Sequence, residues 1–103
     1  MKSFIYVMAE DVPILIDGDL ILEILPLPED IRHVVLNREL ALGHFDWRSQ
    51  LLPIIDARAL LALRAEPLDE NSAGLVYRFN PELAPIFMIV NKVVKVVKLG
   101  PES

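Results

Sequence analysis

Apolar and polar positions along this chain mostly alternate with the short period of strands. Phe4 to Met8 is rich in β-branched and aromatic residues and predicts a strand, and Ala9-Glu10-Asp11 is polar enough to turn the chain. Val12 to Ile16 returns as a second strand, with Pro13 placing that end on a sheet edge because proline cannot donate to a ladder. Asp17 is a cap for a helix expected over Gly18 to Leu25, with Leu20, Ile21, Ile24 and Leu25 on one stripe. Pro26 and Pro28 end it, and Glu29-Asp30 after Pro28 predicts another short helix over Glu29 to Leu36.

From His44 to Arg48 the alternation is strict. His44, Asp46 and Arg48 share one strand face, and Phe45 and Trp47 the other. Arg48-Ser49-Gln50 is the expected hairpin turn, with Leu51 to Ile55 the returning strand. Asp56 caps a helix over Ala57 to Arg64 with Leu60, Leu61 and Leu63 inward. Residues Glu66 to Ala73 read as a surface loop, and Gly74 to Phe79 and Ile86 to Val90 as a pair of strands around Asn80-Pro81-Glu82. Val93 to Val97 is a last strand, since so many β-branched residues disfavour a helix; Lys92, Lys95 and Lys98 are its wet positions, which guard an edge against aggregation. About seven short strands and two or three short helices make a mainly β protein, built as one or two small barrels.

The 103 residues suit one domain spanning 1–103. Hydrophobic residues make up 53% of the chain and aromatics only 7%, which excludes intrinsic disorder and leaves aliphatic surface for a partner to cover. No apolar run approaches the roughly 20 residues of a membrane span. Acidic residues interrupt the start of the chain where a secretory signal would be apolar, so the expected location is cytoplasmic. Fifteen acidic against ten basic residues give a net charge of −5. The segment before Arg48 carries −6 and the remainder +1, a balance that argues against nucleic acid as a partner.

Candidate chemistry is sparse. There is no cysteine, hence no disulfide, thiolate metal site or cysteine nucleophile. His44 and Asp46, joined by His33 and Asp56, could be drawn together as metal ligands, but they follow no recognised ligand spacing. The four serines stand in no nucleophile elbow, and the four glycines are too dispersed to cradle a phosphate. The expectation is therefore no catalytic residue, no metal and no cofactor. What remains is Trp47 beside Arg48 at a hairpin tip. Tryptophan and arginine are enriched in binding hot spots, and a guanidinium presents a flat charged fork; burial of the tryptophan ring in the core is the plainer alternative.

The stretch Gly43 to Asp56, continuing into Arg58-Ala59-Leu60-Leu61, resembles the signature of the CheW-like coupling domain of bacterial chemotaxis. Gly43, Trp47, Arg48, Pro53, Ile54, Ile55, Asp56 and Leu60 stand at the positions of that signature. Phe4 to Leu25 resembles the family's opening hairpin and helix, with Glu23 where that helix carries a glutamate. Gly74 to Leu99 resembles its later hairpin, with Asn91 in place of the usual aspartate. Ser49 replaces the usual glycine after the arginine, so a left-handed turn there is strained. Trp47 before the arginine is a variant associated with twitching-motility members. The chain ends at Ser103, soon after the strand of Val93 to Val97, where typical members continue through further strands.

The resemblance implies two small SH3-like β-barrel subdomains, the second either incomplete or completed by another chain, which would make a homodimer through an open sheet edge. It implies a non-catalytic adaptor that links the helical hairpin of a chemoreceptor tip to the regulatory domain of a CheA-type histidine kinase. Residue by residue it implicates Arg48, with Trp47 and Asp46, in a receptor-facing groove. Two other readings stand beside it. One is a divergent, shortened member that binds other partners or caps and inhibits the array. The other is a small metal-dependent enzyme on the His44 and Asp46 face.

Overall fold

The computed structural model describes residues 2–34, 41–64 and 66–100. In chain order the elements are β1 (Lys2–Ala9), β2 (Val12–Asp17), a 3-10 turn (Gly18–Leu20), β3 (Ile21–Pro26), α1 (Glu29–Val34), β4 (Ala41–Trp47), β5 (Gln50–Asp56), α2 (Ala57–Leu60), β6 (Ala73–Tyr77), β7 (Ile86–Val90) and β8 (Lys92–Leu99). They form a three-stranded sheet in the order β2-β1-β8 and a five-stranded sheet in the order β3-β6-β7-β5-β4. The mainly β expectation is met. The smaller sheet joins the amino-terminal hairpin to the last strand.

Strand pattern and core follow from each other. All five residues of β7 are buried, because this strand is covered on both faces. Ile86, Met88 and Val90 face a core shared with Ile5, Val7, Ala9 and Ile16 of the smaller sheet. Phe87 and Ile89 face a second core with Leu27, Leu52, Ile54 and Val76. A continuous apolar run is what such a doubly covered strand requires, and fully burying each large side chain stabilises by about 1.5–3 kcal/mol. Strands β3 and β4 lie at opposite edges of the five-stranded sheet, yet Trp47 Nε1 on β4 donates to Glu23 Oε1 on β3 at 2.7 Å. The sheet therefore curls until its edges meet, enclosing the second core.

Two glycines serve this curling. Gly43 has φ of 119° where the pairing of β4 with β5 slips in register between Ala41 and His44, so a bulge turns the strand there. Gly74 lies beneath Phe87, and a Cβ at this position would sit 1.9 Å from the ring. Phe87 in turn stacks on Phe45, with centroids 4.1 Å apart and planes at 17°.

Two helical expectations are corrected. The segment Gly18 to Leu25 is not a helix: after the three-residue turn capped by Asp17, whose carboxylate accepts from the Asp19 backbone N–H, the chain extends as β3. Pairing with β6, from Ile21 with Tyr77 to Pro26 with Ala73, supplies the hydrogen bonds that a short helix could not match. Glu23 accordingly sits on a strand, not a helix. Further on, α2 is a single turn over Ala57–Leu60, and the chain leaves it through Ala62 with φ of 55°, so Leu60 and Leu61 are exposed and only Leu63 packs inward. Helix α1 begins where expected at Glu29, and residues 35 and 36 of its expected span lie outside the described residues.

Candidate functional site

The hairpin joining β4 to β5 turns on two residues, Arg48 and Ser49, because Trp47 pairs directly with Gln50. Both have positive φ, 49° and 64°, the pattern of a type I′ turn whose twist matches that of the flanking strands. Neither is glycine, so the turn holds two side chains in a conformation that costs roughly 1–2 kcal/mol each. The strand before it alternates as expected. Phe45 and Trp47 are partly buried against the second core, while His44, Asp46 and Arg48 are exposed.

Trp47 therefore reconciles its two readings. Its ring packs on the core, and its indole N–H reaches the surface carboxylate of Glu23. The Arg48 guanidinium stands 5.0 Å from the Trp47 ring centroid and 3.6 Å from the same Glu23 oxygen. With 72% of its side chain exposed, Arg48 leaves most of its donor fork to solvent. A pair this exposed contributes about 0–1 kcal/mol, and the stacking about 0.5–1 kcal/mol. The arrangement orients the guanidinium more than it stabilises the fold. The glutamate was visible in the sequence by its place in the resemblance, whereas its bond to the indole depends on barrel closure.

A second feature lies on the seam between the sheets. An apolar depression of about 260 Å³ is lined by Ile14 and Leu15 of β2, Leu60 and Leu61 at and just past the end of α2, and Tyr77 and Phe79 at and just past the end of β6, among others. Leu15, Leu60, Leu61 and Phe79 are all exposed, which is costly for large apolar side chains unless something covers them. Tyr77 and Phe79 meet edge to face at 4.9 Å and 84°. None of Asp46, Trp47 and Arg48 lines this depression, so the hairpin tip and the groove are separate features.

A buried ion cluster braces the same seam. Arg58 is fully buried, and its Nε and Nη2 donate to the Asp56 carboxylate at 3.0 Å and 2.9 Å. Its Nη1 donates to Glu10 Oε1 and, at 2.6 Å, to the Glu66 carbonyl. Asn91 Oδ1 accepts from the Glu10 backbone N–H at 2.6 Å. Burial pushes the Glu10 carboxyl upward, but the Glu66 backbone N–H, Arg58 and Asn91 outweigh it and hold the carboxyl below the ordinary range. Asp56 also caps α2 by accepting from the Arg58 backbone N–H, so it is spent within the fold and does not face His44. The His33 side chain lies outside the described residues. Sequence reading missed Arg58; the signal was one arginine inside the otherwise apolar run Ala57 to Leu63 directly after Asp56.

The profile of the CheW-like domain matches residues 3–103. Among solved structures, the chain is similar to the scaffolding protein TtCheW from Thermoanaerobacter tengcongensis, with a TM-score of 0.76 and 16% sequence identity. The alignment covers 99% of this chain and 68% of that one. No curated protein matches.

Proposed function

Because this chain belongs to the CheW-like domain family, we propose that it is a non-catalytic adaptor of chemotaxis-type signalling, joining a chemoreceptor to a CheA-type histidine kinase by protein–protein contacts. The observation that carries this reading is the exposed apolar groove between the sheets, bordered by Leu15, Leu60, Leu61 and Phe79. A receptor tip is a helical hairpin, and an amphipathic helix laid in a groove buries such side chains at spacings of three and four residues. Arg48, with Trp47 and Asp46 beside it, is a polar contact outside the groove that fixes register by pairing with a partner carboxylate.

The test is binding of the purified chain to a receptor-tip hairpin and, separately, to a kinase regulatory domain. Both should bind. Leu61→Glu should weaken the hairpin complex about tenfold or more, since it places a charge where apolar area is buried. Arg48→Ala should weaken partner binding while circular dichroism stays unchanged, and unfolding would make the residue structural instead. A folded chain that binds neither partner contradicts the proposal. Binding to one alone would mark a divergent adaptor that has lost its coupling role.

A further inference from the structure

We propose that copies of this chain associate by strand addition, the free edge of β2 in one copy pairing with the free edge of β8 in another. In the larger sheet the edge strands β3 and β4 meet through Trp47 and Glu23. The smaller sheet, in contrast, has β1 at its centre and leaves β2 and β8 with no strand beyond them among the described residues. Each outer side is a row of backbone donors and acceptors that templates another strand.

Charge decides which edges can meet. Strand β8 carries Lys92, Lys95 and Lys98 and no acidic residue, with Val94, Val96 and Leu99 exposed beside them. Strand β2 carries no basic residue and is bracketed by Asp11 and Asp17, with Asp19 just beyond and Leu15 exposed. Pairing β8 with β8 would set lysine against lysine. Pairing β2 with β2 would set aspartate against aspartate and bring together two Pro13 residues, each lacking a donor. Only β2 with β8 brings opposite charges together.

Asp17 binds Lys2 at 2.8 Å, so the free acidic charge of this edge lies mainly with the exposed Asp11 and Asp19, near its two ends. The lysines thus do two things: they forbid like-with-like pairing and they select the acidic edge. Because the two edges differ, the contact is heterologous, closing as a pair only if both seams form together and otherwise extending as a chain.

Sedimentation equilibrium of the unmodified full chain alone, at low and high sodium chloride, tests this without receptor or kinase; a negative result therefore leaves the adaptor reading standing. We expect self-association at low salt that weakens about tenfold or more as salt rises through the screening range. Lys95→Glu with Lys98→Glu should abolish it, as should Asp11→Lys with Asp19→Lys, and mixing the two variants should restore association, because the native β2 of the first complements the native β8 of the second and their two altered edges complement each other as well. A chain that stays monomeric at high concentration, or an assembly indifferent to salt and to these charges, overturns the proposal. Should a variant fail to fold, the salt series on the unmodified chain decides.

Discussion

Arg58 is the residue on which most of the local structure converges. It is buried, and its guanidinium ties Asp56 on β5, Glu10 in the β1–β2 turn and the carbonyl of Glu66 into one point. Replacing a buried ion cluster whole can be neutral, but removing one partner strands the others. Arg58→Ala should therefore cost about 3–5 kcal/mol in urea unfolding. Glu10 gives the cluster its pH dependence. Its folded carboxyl titrates below the ordinary 4.5, so its contribution is present above that value and lost as pH falls through the folded value. Asp17, held low by Lys2, acts in the same direction. Unfolding free energy measured from neutral pH downward should fall with acid, and Glu10→Gln should make that fall shallower without removing it.

At the scale of the element, the two-residue turn of Arg48 and Ser49 is the informative case. Ser49 has φ of 64°, a conformation glycine adopts without steric penalty. Ser49→Gly should stabilise the chain by a few tenths to about 1 kcal/mol, the relief being partly offset by glycine's larger unfolded entropy. Gly74→Ala should do the opposite. Its added methyl meets the Phe87 ring, which cannot retreat from Phe45, and the cost should be about 1–3 kcal/mol by thermal or urea unfolding. The hairpin was legible in the sequence because aromatic and polar residues alternate from His44 to Arg48. Strand β3 was not: Ile21, Ile24 and Leu25 form a helical stripe, whereas the strand puts Ile21 and Leu25 on one face and leaves Leu22 and Ile24 exposed on the other, and the choice is made by β6, distant in sequence. The burial of Arg58 was hidden for a like reason, because its acidic partner Glu10 is 48 residues away.

For the whole molecule, two sheets share the core around Leu75, Met88 and Val7, and their seam leaves the groove open on one side. The family signature pointed to the fold and singled out the Arg48 hairpin as the candidate contact. It did not locate the groove, whose walls come from β2, α2 and the end of β6, because these converge only after folding. No helix among the described residues is long and apolar enough to cross a membrane. The groove, with Leu60 and Leu61 turned outward, leaves apolar surface that a partner helix would cover.

The central claim is that this chain bridges two proteins. A surface coated with receptor-tip hairpins, exposed first to the chain and then to the kinase regulatory domain, measures bridging directly. The account predicts that the kinase domain is retained only when the chain is present, and that Leu61→Glu in the chain releases both layers. Retention that does not depend on the chain, or a chain that holds the hairpin yet never recruits the kinase domain, would contradict it.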